Sequence, residues 1–153
     1  MKATQLSVRP ILATDLEPVI ALDRHYTRQS RRGFFEQRWQ AMARGPAAVI
    51  ALAVDRGDDL VGFLLARILD GEFGGTAPVA LLDALGVATD AQRQGIGSEL
   101  MRTLIDEVRA RGGREVRTQA PWHQRGLFDF FAQSGFLLAP RMVLERNTLE
   151  VNW

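Results

Sequence analysis

The residues best placed to do chemistry lie between Leu81 and Leu100, reading LLDALGVATDAQRQGIGSEL. An apolar run ends at Val87, a polar turn follows, and Gly95-Ile96-Gly97 opens an amphipathic stretch. Glycines at such a junction let the backbone approach a ligand with no Cβ in the way. The first N–H groups of a helix have no intrahelical partner, and the helix dipole adds to their pull on an anion. Arg93 and Gln94 would flank that anion, and Ser98 adds a hydroxyl. The segment therefore reads as a phosphate or pyrophosphate cradle, or as a sharp strand-to-helix turn that needs small residues. A dinucleotide-binding G-x-G-x-x-G does not fit. Leu100 stands where its third glycine belongs, and the turn follows four strands instead of the first. A Walker-type loop needs Gly-Lys-Ser/Thr, and the one lysine is Lys2.

The elements around this turn follow from local patterning. Leu6-Ser7-Val8-Arg9 alternates as a short strand. Thr14-Asp15-Leu16-Glu17 matches a capping box, with Thr14 as N-cap, ahead of a helix to about Tyr26. A second helix is expected over Arg32 to Arg44, before Gly45-Pro46. Ala48–Val54 and Leu60–Ile68 read as a hairpin, and Val79–Val87 as another long strand. From Gly95 to Ala110, Ile96, Leu100, Leu104 and Val108 recur on one side, and Gly112-Gly113 ends the helix. Glu115–Gln119 is a strand, Arg125–Gln133 a short helix, and Arg141–Glu145 a last strand after Pro140. The order β-α-α-β-β-β-α-β-α-β is a mixed α/β (α+β) sandwich with helices on a central sheet. No repeat or linker interrupts residues 1–153, so a single domain is expected.

Composition removes several functions. The chain has 153 residues, of which 46% are hydrophobic and 24% charged, as in an ordinary globular domain. Nineteen Lys+Arg face eighteen Asp+Glu for a net charge of +1, which is no footprint for nucleic-acid binding. Cysteine is absent, so neither thiolate metal ligands nor a nucleophilic thiol is available. No His/Asp/Glu spacing reads as a metal site. The longest apolar run, Ala47–Val54, is strand-sized, so no membrane span is expected and the default location is the cytoplasm. With Lys2 the only lysine, every other basic residue is arginine, which reads as composition drift.

Gln92-Arg93-Gln94-Gly95-Ile96-Gly97 resembles the Q/R-x-x-G-x-G/A signature of the GNAT acetyltransferase superfamily. Leu85-Gly86-Val87-Ala88-Thr89-Asp90 looks like that family's strand end, and Gly135-Phe136 like its C-terminal GF element. The element order fits too, so the likeness covers nearly the whole chain. It implies an N-acetyltransferase that moves an acetyl group from acetyl-CoA to an amine by direct attack on the thioester, without a metal. The pyrophosphate would lie on amides of Arg93 through Ser98, beside Gln92. The pantetheine arm would pair with the backbone of Leu85, Gly86 and Val87, where a strand amide meets the acetyl carbonyl.

The resemblance also points to a carboxylate four residues before Val87, which is Asp83. Alternation would put it on the face of Leu85 and Val87. Asp83 then reads as a base or cationic anchor, and equally as the partner of a neighbouring arginine. The family's proton-donating tyrosine falls on Phe131, which has no proton to give, and its asparagine on Gln124. Water, His123 or the single tyrosine, Tyr26, would take the tyrosine's place. His123 and His25 read equally as ordinary loop and helix residues. Arg24-His25-Tyr26-Thr27-Arg28 and Arg31-Arg32-Gly33-Phe34-Phe35 occupy the family's acceptor wall, suited to an anionic or aromatic amine, or are solvated helix faces. The acceptor is a small-molecule or peptide amine, a protein lysine or N-terminus being the alternative. A non-catalytic acyl-CoA-binding or sensing module is the reading from another class. Trp153 ends an irregular tail that either frays or covers a homodimer partner.

Overall fold

The computed structural model describes residues 6–150, so Lys2 and Trp153 lie outside the described residues. The chain divides into two compact units, Met1–Gln119 and Ala120–Trp153.

In the first unit β1 (Ser7–Pro10), β2 (Val49–Arg56), β3 (Asp59–Asp70), β4 (Pro78–Val87) and β5 (Glu115–Thr118) form one sheet in that order. Neighbours are antiparallel except β4 and β5, which are parallel. Helices α1 (Leu16–Thr27) and α2 (Arg32–Arg44) cover one face. Their Val19, Ile20 and Phe35 form a buried cluster with Phe63 and Leu65 of β3 and Ala84 of β4. The opposite face takes α3 (Ile96–Ala110), whose Ile96 and Leu100 pack over Gly62. The expected periodic stripe is the buried one: Ile96, Leu100, Met101, Leu104 and Val108.

The capping expectation is corrected. Asp15, not Thr14, organises the start of α1. Its carboxylate accepts from the Leu12 N–H at 2.7 Å and from Arg9 Nη1 and Nη2 at 2.8 and 3.0 Å. Arg9 also reaches Asp55 on β2, so the turn before α1 is tied to the sheet edge. The Arg9 hydrogen bonds hold the Asp15 carboxyl below its ordinary range, against the opposing effect of burial. A depressed folded pKa stabilises above the unfolded value and loses that contribution as pH falls through the folded one. Asp15→Asn is accordingly expected to cost about 2 kcal/mol at pH 7. The deficit shrinks in denaturant titrations below roughly pH 4.

The second unit holds α4 (Arg125–Gln133), at the expected boundaries. The last strand expected at Arg141–Glu145 is not formed, and no regular element follows α4 among the described residues. A strand is defined by its partner, and the sheet ends at β5. Met142, Val143 and Leu144 are exposed, so no burial compensates for ordering them.

Candidate active site

The site is built by a strand that outruns its neighbour. The β4–β5 ladder covers Val79–Leu82 against Glu115–Thr118, and Thr118 Oγ1 donates to the Leu82 carbonyl at its last rung. β4 continues to Val87 with β3 alone. The Ala88 N–H donates to the Val61 carbonyl, so alternation directs Gly86 at β3 as well. Leu85 and Val87 therefore turn their N–H and C=O groups to the open side. Gly86 is fixed for packing: a Cβ there would sit 2.6 Å from the Phe63 ring.

Past Val87 the chain passes a short 3₁₀ turn, Thr89–Ala91, then Arg93 and Gly95 in the left-handed region (φ 64° and 80°). Gly95 is the N-cap of α3, which has no side-chain cap. Its carbonyl accepts the Glu99 N–H, so the amides of Ile96, Gly97 and Ser98 precede the first intrahelical bond. A Cβ on Gly95 would meet no atom within 4 Å, so the space above this turn is open. Those features fit an anion.

Two residues of α1 close on the same turn. Gln92 Nε2 donates to Tyr26 Oη at 2.7 Å and lies 3.4 Å from the Val87 carbonyl. His25 Nε2 is 3.1 Å from Thr89 Oγ1. Tyr26 is thus beside the turn, and its own O–H hydrogen is not used by Gln92.

Asp83 is placed differently from the alternation. In the β3–β4 register Leu65 pairs with Ala84 and Ala66 with Leu82, leaving Asp83 as the extra residue of a β-bulge. The bulge turns it from the face of Leu85 and Val87 to that of α1 and α2. There Asp83 accepts from Arg67 Nε at 2.7 Å and Nη2 at 3.0 Å. Arg38 Nε of α2 lies 3.1 Å from the same carboxylate. The side chain is 10% exposed. These bonds hold the Arg67 guanidinium above its ordinary pKa. Both Asp83 oxygens are engaged, which suits a charge that orients arginines better than a free base.

In the second unit Gln124 is the N-cap of α4, with no side-chain cap. His123 is exposed, its ring edge-on to Trp122, and its carbonyl accepts the Arg125 N–H. Phe131 is buried and in ring contact with Phe130 and Phe136, as a packing residue.

Residues 15–136 match the sequence model of the Acetyltransferase (GNAT) family. The chain belongs to the GNAT acetyltransferase family. No curated protein matches it in sequence. Among solved structures, it is similar to the aminoglycoside acetyltransferase AAC(6')-Iy, bound to a bisubstrate analogue of CoA and acetylneamine. That likeness has a TM-score of 0.80 at 15% identity, over 94% of this chain and 98% of that one. An aminoglycoside acetyltransferase from an uncultured soil metagenomic sample, in complex with sisomicin, has a TM-score of 0.76 at 22% identity, over 95% and 97%. A ribosomal-protein-alanine N-acetyltransferase from Brucella melitensis biovar Abortus 2308 has 0.73 at 18%, over 94% and 99%. This GNAT chain thus shares its fold with enzymes named for small-molecule and for protein amines. Among its described residues no helix is long and apolar enough to cross a membrane, and no cluster of three metal-ligating side chains occurs.

Arg38, Arg67, the Tyr26–Gln92 pair and the bulge were not readable from local sequence. Their partners lie many residues away, and no short motif marks them.

Proposed function

We propose that this GNAT chain is a cytoplasmic, acetyl-CoA-dependent N-acetyltransferase, working as one domain on a small-molecule or peptide amine. The observation carrying this reading is that β4 runs past β5 and leads, through one short turn, to the start of α3, which has no side-chain cap. When bound, acetyl-CoA supplies an acetyl group activated as a thioester. The amides of residues 93–98 hold its pyrophosphate. Leu85 and Val87 offer strand hydrogen bonds to the amide-bearing pantetheine arm, and the Leu85 N–H polarises the carbonyl. The neutral amine attacks directly, since no cysteine is present to carry the acetyl group. Its surplus proton passes to solvent, and Asp83 serves by holding Arg67 and Arg38 in place. A thiol of pKa about 8.5 is a fair leaving group, so Phe131 does not bar the reaction. The thiolate takes its proton from water.

Thiol release measured across amines, peptides and proteins tests the reading. Tight CoA binding with no release from any of them would make the chain a sensor instead. Tyr26 is assigned to positioning, through Gln92. Tyr26→Phe is expected to raise KM for acetyl-CoA about fivefold, the worth of one hydrogen bond, with kcat within twofold. A collapse of kcat at unchanged KM would make Tyr26 the proton donor.

A further inference from the structure

The face of β4 toward α1 and α2 carries more positive charge than its own acids neutralise. Arg67 of β3 and Arg117 of β5 are the direct cross-strand neighbours of Leu81, on either side of it. Arg117 bonds Glu115, and Arg67 takes both oxygens of Asp83. Arg31, over the Phe34 ring, is matched by the buried Asp23. Arg38 is left over. Its side chain is 21% exposed, and its guanidinium lies 4.8 Å from the centre of the Phe34 ring. Nε is buried, and although 3.1 Å from Asp83 Oδ2 it has no hydrogen-bond partner. A buried guanidinium N–H without a hydrogen bond is costly, and such a group calls for an acceptor. The Asp83 beside it is two residues from Leu85, about 7 Å along the strand. One small molecule spans that distance.

We propose that Arg38, backed by Arg67, receives a carboxylate of the acceptor, so the acceptor is an amine that also bears an acid. The inference rests on the transferase reading above. It separates this site from one suited to a polycation, because an ammonium next to Arg38 and Arg67 meets like charge. The carboxylate belongs either to a free amino acid or to a short acidic peptide.

The experiment pairs 5-aminopentanoate with 5-aminopentanamide, which differ in the acid alone, and adds an acidic dipeptide and kanamycin. Expected is a kcat/KM ratio of acid over amide of at least 10, with kanamycin the poorest substrate. Arg38→Gln is expected to lower that ratio about 10-fold or more, the worth of a hydrogen bond to a charged group, and Arg38→Lys to restore part of it. Loss of a merely structural arginine would lower the melting temperature and leave the ratio alone. Calorimetric titration of each compound into the CoA-bound protein gives a readout independent of turnover. Arg38-dependent binding of the acid with no thiol release supports this inference and removes the transferase reading. Turnover or binding with no preference for the acid, or a preference that Arg38→Gln leaves intact, overturns it. A dipeptide favoured over 5-aminopentanoate assigns the carboxylate to a peptide.

Discussion

Gly95→Val is expected to weaken binding of coenzyme A about 100-fold, with the sheet and α3 intact. Two effects add. Gly95 has φ 80° and ψ 9°, a region where a β-branched residue is strained by roughly 1–2 kcal/mol. Relieving that strain rotates the Gln94–Gly95 and Gly95–Ile96 peptides, and with them the amides that face the anion. One charge-assisted hydrogen bond lost there costs about 1.5–3 kcal/mol more. Nothing within 4 Å of the new Cβ belongs to the protein, so the side chain does not collide with the fold. In the proposed site it occupies the space a phosphate needs. Gly95→Ala separates the terms, since it keeps most of the backbone strain with little bulk, and is expected to lose about 10-fold. Titration of CoA by calorimetry, with melting curves as the control for folding, decides the matter. An affinity within threefold of the parent would reduce the glycine turn to a packing device.

That turn was legible because everything it needs is local. Gly95 sits between a strand run and a periodic helix, and both signals lie within a few residues of it. The boundaries of α2 and α4 were legible for the same reason. What stayed hidden depends on partners distant in the chain. Thr14 and Glu17 form a sound capping box on paper. Asp15 takes the role because Arg9, held by Asp55 on the next strand, reaches it. The run at residues 141–145 has the composition of a strand but acquires no ladder. Gly86 looks like a ligand-facing glycine, yet its missing Cβ makes room for Phe63 across the pair. Period-two reasoning on β4 fails at one residue, where the register against β3 slips. Pairing, not pattern, decides which way Asp83 points.

The slip at Asp83 sets the second large effect. Asp83→Asn keeps the shape but removes the charge that Arg67 and Arg38 share. Truncating one partner of a fully buried pair costs about 3–5 kcal/mol. Arg67 keeps over a third of its side chain in water, so the expected cost is nearer 2–3 kcal/mol, a fall in melting temperature of about 5–10 °C. Much of that is two guanidiniums left facing each other, so removing one of them as well should recover part of it. The Asp83→Asn, Arg67→Met double variant is expected to be more stable than the sum of its singles predicts, by about 1 kcal/mol or more. Kinetics separate the two roles proposed for this carboxylate. A catalytic base would place an acidic limb in the kcat/KM profile that moves or vanishes in Asp83→Asn. A charge that positions arginines leaves that limb where it is and lowers the plateau, through misplaced acceptor. Retention of the limb is the expected result, because both Asp83 oxygens already accept from Arg67. A limb abolished by Asp83→Asn at full thermal stability would restore Asp83 as the base, and would require Arg67 to swing away when the acceptor binds.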